Sequence, residues 1–229
     1  MSQLVHHHCG SAIIVNSGNN QLLIGEYDQG YPRISERGKA NFIGGNYCFG
    51  DQSPQHTFER EINEEFTLTI DSGDLDKIVE DLSESESISV QRGSFARADE
   101  RDYIRKSILE RAEPYRDFLI TLSDKAGQPI DVAHSIFKVV LPTDCFNLVT
   151  QLLNDGRRLT QEGLLRVLDF EDITSGRILA AYGAGPILVH YLEKQLPWYQ
   201  NIPIEPMSFP FSSYKDYEKI FEYTHHPKQ

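Results

Sequence analysis

GGNYCFGDQSPQHTFEREINEEFTL, residues 44–68, is the stretch on which the reading turns. Its second half is written for a helix. Ser53 is a residue type that caps a helix N-terminus, and Pro54 suits the first helical position, where its missing N–H costs nothing. Phe58, Ile62 and Phe66 recur at four-residue spacing and form one apolar stripe. The helix is expected to end near Thr67, because 67–70 is β-prone and 71–74 is turn-like. Glu61, Glu64 and Glu65 lie three and four residues apart, so they share a narrow arc beside that stripe. Like charges this close repel one another unless a cation neutralises them. Carboxylate oxygens suit hard cations such as Mg²⁺ or Mn²⁺, which bridge phosphate oxygens and activate a water. An acidic helix face alone is most often a solvated surface. Here the Gly44-Gly45 turn, the loop after it and the capped helix weigh toward a site.

Working outward, residues 11–15 are an apolar run, 16–20 a turn cluster and 21–27 a second strand pattern, which together predict a β-hairpin. Residues 28–39 read as a loop, and 41–45 as a short strand ending in the Gly-Gly turn. The stretch 71–116 is rich in charge. Leu75, Ile78, Val79 and Leu82, then Ile104, Ile108 and Leu109, keep a helical period, so this stretch is expected to be a helical insertion. Residues 117–122 and 135–141 predict a second hairpin, 146–153 a helix, 164–170 a strand and 180–196 a long final helix. The proline-bearing tail, 197–229, is expected to be irregular. Strands followed by helices and strands again predict one α+β domain over 1–229, built as a mixed-sheet sandwich.

Composition narrows the function. The chain has 229 residues, enough to bury a substantial core, and a formal net charge of −12. Such a surface repels nucleic-acid backbones and anionic membranes, so neither a nucleic-acid polymer nor a membrane is an expected partner. A small anionic substrate stays open, because a bound cation inverts the field within one pocket. No apolar run approaches the roughly 20 residues that span a bilayer. The start, MSQLVHHHCG, shows no basic region followed by an apolar one, and the expected location is the cytoplasm by default. Cys9, Cys48 and Cys145 lie far apart and form neither a disulfide framework nor a zinc knuckle.

Residues 45–68 resemble the Nudix box, G-x5-E-x7-R-E-U-x-E-E-x-G-U, with U aliphatic. Gly45 takes the opening glycine and Asp51 falls at the first Glu. Arg60, Glu61, Ile62, Glu64 and Glu65 match outright, and Leu68 takes the last aliphatic position. Three departures are visible. Asp51 is one methylene shorter than Glu, eight residues instead of seven separate it from Arg60, and Thr67 stands where the family has Gly. The resemblance implies an α/β/α sandwich and metal-dependent cleavage of a phosphoanhydride bond in a nucleoside diphosphate linked to another moiety. It implies Glu61, Glu64 and Glu65 as ligands of Mg²⁺ or Mn²⁺, with Glu61 also serving as base for the attacking water. The backbone carbonyl of Gly44 is implied as a further ligand, and Arg60 as the residue that holds the carboxylates in place. Some members bring another Glu from a loop before a late strand. Glu162, just before 164–170, stands at that place, with a plain loop carboxylate as the equal alternative. The departures carry a competing expectation, a Nudix-fold nucleotide-binding or regulatory module without turnover. The insertion 71–116 adds a third, a docking or homodimer element.

Other candidates are weaker. His6, His7 and His8 form a run of the kind that binds transition metals, but such a run alternates faces on a strand or frays at the terminus. His134, His190, His225 and His226 show no partner at metal-ligand spacing. Tyr182-Gly183-Ala184-Gly185-Pro186 lacks the G-x-G-x-x-G form of a dinucleotide site and reads as a turn before a helix.

Overall fold

The run VHHHCGSAIIVN forms the central strand β1, Val5–Asn16, which extends the expected strand back through the three histidines. In this computed structural model the structure describes residues 5–27, 34–67, 95–123, 129–161, 164–181, 184–192 and 204–206. β2 spans Gln21–Glu26, β3 Ala40–Asn41 and β4 Ile43–Asn46, followed by helix α1, Pro54–Phe66. Helix α2, Ala98–Glu110, leads into β5, Ala112–Ser123, and β6, Pro129–Leu141. Helix α3, Thr143–Asn154, precedes β7, Leu164–Asp169, and the short α4, Phe170–Thr174. Helix α5, Ala184–Leu192, and β8, Ile204–Pro206, complete the described elements.

The eight described strands make one sheet ordered β3-β2-β1-β6-β5-β8, with β4 on β1 and β7 on β2. β1 and β6 run parallel and the other strand pairs are antiparallel, so the sheet is mixed. Successive residues of a strand face opposite sides, and here both sides are apolar. Ala12, Ile14, Leu23, Phe137, Val139 and Leu141 point to one core, with Phe58, Ile62 and Phe66 of α1, Ile104 and Ile108 of α2, and Phe146 and Val149 of α3. Ile13, Val15, Leu22, Ile24, Phe118 and Ile136 point to the other, with Ile173 of α4 and Ala184, Ile187 and Leu188 of α5. A sheet apolar on both faces must be covered on both, and the outcome is the expected α/β/α arrangement of an α+β protein. Each of the three stripe residues of α1, buried against this sheet, contributes about 2 kcal/mol of transfer free energy. Phe58 stacks on Phe137, with centroids 4.9 Å apart.

Several boundaries differ from expectation. Residues 112–116, placed above in the insertion, open β5 and pair with β6, with a bulge between Pro114 and Arg116. Polar residues such as Glu113 and Arg116 sit on this strand as ladder members, so their polarity hid it. The part of the insertion at 98–110 packs into the first core through Ile104 and Ile108, while 68–94 lies outside the described residues. The expected final helix 180–196 begins later: Ala180 bridges to Ala40 and α5 starts at Ala184, while 193–196 lie outside the described residues. The tail supplies β8, on the sheet edge against β5, where a strand tolerates proline such as Pro206. No helix among the described residues is long and apolar enough to cross a membrane. Cys9, Cys48 and Cys145 are all free.

Candidate functional site

Helix α1 is placed by its two ends. At the first, Ser53 is the N-cap and its Oγ accepts from the His56 N–H at 3.1 Å, as Pro54 opens the helix. At the second, Thr67 is extended, with φ −98°, so no left-handed residue is needed and a β-branched side chain is tolerated. The helix-end carbonyls find other donors. Arg101 Nη1 donates to Phe66 O at 2.9 Å, and the Gln161 N–H donates to Glu65 O at 2.7 Å. Sequence reasoning missed both partners, since nothing in the chain marks Arg101 as the cap of a helix more than 30 residues away.

Arg60 gathers the carboxylates. Its Nε donates to Asp51 Oδ1 at 3.1 Å and its Nη2 to Asp51 Oδ2 at 3.2 Å. Nη1 reaches Glu61 Oε1 and Glu64 Oε2, each at 2.9 Å, and Nη2 also donates to Asn46 O at 2.8 Å. One guanidinium therefore ties the start of the 46–51 loop, its end, and two acids of α1. The Cys48 N–H at 2.9 Å and the Thr57 hydroxyl at 2.8 Å complete the Asp51 carboxylate. The shorter side chain at 51 and the extra residue before Arg60 thus still leave a two-pronged contact.

Gly44 and Gly45 bring β4 against this cluster. Gly44 pairs with Ser11 and Gly45 with Gly10 on β1. Glu61 lies over the bare Cα of Gly45, where a Cβ would run into its carboxyl group. The side chain of Glu61 is only 18% exposed, whereas that of Glu64 is 58% exposed. Burial raises the Glu61 carboxyl above its ordinary value against the pull of Arg60, and the charges on Glu64 and Asp51 add to the rise. Burial acts on Asp51 in the same direction, but hydrogen bonds from Arg60, Cys48 and Thr57 outweigh it and hold Asp51 below its ordinary value.

Of the residues singled out from sequence, the structure brings Arg60, Glu61, Glu64 and the Gly44-Gly45 turn together with Asp51. Glu65 is half-buried on the same helix, and Glu162 and Leu68 lie outside the described residues. Among the described residues, no group of three or more His, Cys, Asp or Glu side chains forms a ready metal cage. The donors nevertheless fit a hard divalent cation in kind. They are carboxylate oxygens beside a glycine turn, and Arg60 engages one oxygen of Glu61 and one of Glu64, leaving the second of each uncommitted to it.

No protein-family model and no curated protein matches the chain. Among solved structures, it is similar to a Mutator MutT protein from Bacillus halodurans, at 14% identity over 89% of this chain and 99% of that one, with a TM-score of 0.41. It is also similar to a Nudix hydrolase from M. smegmatis, RenU, at 9% identity over 82% of this chain and 86% of that one, with a TM-score of 0.40.

Proposed function

We propose that this chain is a Nudix-type hydrolase that cleaves a phosphoanhydride bond in a nucleoside diphosphate linked to another moiety, with Mg²⁺ or Mn²⁺. The observation that carries the reading is the seating of Glu61 over Gly45, with Glu64 beside it and one arginine ordering both. Glu61, Glu64, Glu65 and the Gly44 carbonyl would hold the cation, and Glu162, next to Gln161 in the sequence, would join them. Bound there, the cation supplies neutralisation of the charge that builds on phosphate oxygens and a more acidic water.

The chain's own residues do the rest. Glu61, held at its seat over Gly45 by Arg60, takes the proton of the attacking water. Arg60 keeps Glu61 and Glu64 close despite their repulsion, and Asp51 holds Arg60 from behind. Catalysis by such a site is positioning plus electrostatics.

The test is divalent-cation-dependent release of phosphate products across a panel of nucleoside diphosphate derivatives. At least one is expected to turn over, with Glu64→Gln and Glu65→Gln each lowering the rate about 100-fold or more. Nucleotide binding with no turnover in the whole panel overturns the enzyme reading in favour of a binding module. Unchanged turnover in either variant places the chemistry elsewhere.

A further inference from the structure

His134 has no part in the reading above, yet it is buried in the middle of the sheet at 9% exposure. It stands on β6 opposite Cys9 of β1. Its Nε2 lies 3.0 Å from Ser11 Oγ, and the Phe42 ring meets it edge-on at 6.2 Å. Burial pushes its pKa down to about 4, so the imidazole is neutral at pH 7. Two buried polar side chains here satisfy each other, where two apolar ones would fill the space without any desolvation cost.

Ser11 does more than satisfy His134. Across the β1–β4 ladder it pairs with Gly44, whose φ is +138°. A Cβ on Gly44 would come within 2.6 Å of Ser11 Cα and 2.9 Å of Ser11 Oγ. The Gly44 backbone therefore rests on the serine whose hydroxyl is fixed by His134. The next residue, Gly45, is the seat of the Glu61 carboxyl. Contact runs without a gap from His134 through Ser11 and the two glycines to Glu61.

We infer that His134 is a positioning residue: by fixing the Ser11 hydroxyl it fixes the Gly44-Gly45 turn, and with it the Gly44 carbonyl and the seat of Glu61. The inference rests on the proposed cation site. A hydrogen-bonded hydroxyl has one preferred rotamer, whereas an apolar contact at the same place leaves the turn free to shift by a few tenths of an ångström. Ligands to a hard cation are sensitive to shifts of that size.

Mn²⁺ titrated onto the nucleotide-free protein, with free Mn²⁺ read by its EPR signal, tests this without turnover. His134→Leu is expected to weaken Mn²⁺ binding about tenfold, and His134→Gln, which keeps a hydrogen-bonding group facing Ser11, to recover most of the loss. Ser11→Ala is expected to reproduce the weakening, which keeps the test intact should His134→Leu not fold. Val139→Ala, a truncation in the first core that changes no member of this line, is expected to lower the melting temperature and leave Mn²⁺ affinity unchanged. Affinity within about twofold of wild type in both His134→Leu and Ser11→Ala overturns the inference, as does equal weakening in Val139→Ala. A wild-type chain that binds no Mn²⁺ removes the cation site and this inference with it. Equal binding in wild type and variants removes this inference alone.

Discussion

Arg60 grips Asp51 with two hydrogen bonds, at 3.1 and 3.2 Å, and so closes the loop between β4 and α1. The Asp51 side chain is 3% exposed and that of Arg60 21%, which makes this a mostly buried, two-pronged ion pair. Asp51→Ala removes the carboxylate and takes the acceptor from the Cys48 N–H, while the Thr57 hydroxyl keeps Ser53 O at 3.4 Å. Arg60 keeps Glu61, Glu64 and some solvent, so the loss falls short of a fully buried pair. The expected destabilisation is about 2–3 kcal/mol by urea unfolding. A loss below about 1 kcal/mol means that something else holds the loop.

Gly44 and Gly45 are adjacent glycines with different demands, and alanine separates them. At Gly44 the backbone is in a conformation that L side chains rarely adopt, and a Cβ would press on the Gly10 carbonyl and the Ser11 backbone. Gly44→Ala is expected to cost about 2 kcal/mol or more in stability. At Gly45 the obstructing group is the far end of Glu61, which can swing aside. Gly45→Ala is therefore expected to stay within about 1 kcal/mol of wild type while losing most divalent-cation-dependent turnover. Calorimetric melting beside a turnover assay checks both, and equal stability losses in the two variants would contradict the assignment.

His134 predicts a pH slope. Folding lowers its pKa from 6.5 to about 4, so between those values the unfolded chain binds a proton that the folded chain refuses. The stability contributed is complete above pH 6.5 and is lost as pH falls toward 4, by about 3 kcal/mol in all. Glu61 works the other way in part of this window, because its raised carboxyl binds protons better in the folded state. The comparison that isolates His134 is therefore wild type against His134→Gln, with unfolding free energies at pH 7 and pH 4.5. The variant is expected to lose less stability on acidification, and parallel curves would remove His134 as the cause.

Much of this was legible in the residues themselves. Ser53, Pro54 and the Phe58/Ile62/Phe66 stripe predict α1 to within one residue, because caps and apolar period are local. The two-faced burial of Ile13, Ile14, Leu22 and Leu23 is likewise written as continuous apolar runs. Long-range partners were hidden. Arg101 on Phe66, Gln161 on Glu65 and His134 on Ser11 join residues 35, 96 and 123 apart, and no spacing rule links them. The start of β5 was hidden by Glu113, Pro114 and Arg116 beside a bulge, and β8 by a proline that a strand at the sheet edge accepts.

The C-terminus of α1 provides the last test, because a glycine is what the Nudix box would place at 67. Glycine helps a helix end when that end needs a positive φ. Thr67 has φ −98° and ψ 111°, so glycine gains nothing there and adds freedom to the unfolded chain. Thr67→Gly is expected to destabilise by about 0.5–1 kcal/mol despite moving the sequence toward the family pattern. The stop lies instead in Arg101, which donates to both Phe66 O and Ala96 O from a buried position. Arg101→Leu is expected to cost about 2 kcal/mol or more, since two buried carbonyls lose their donor. Arg101→Lys should recover little, because one ammonium lacks the planar fork that spans the two oxygens. Stabilisation by Thr67→Gly, or a neutral Arg101→Leu, in chemical unfolding would show that the helix is ended by other contacts.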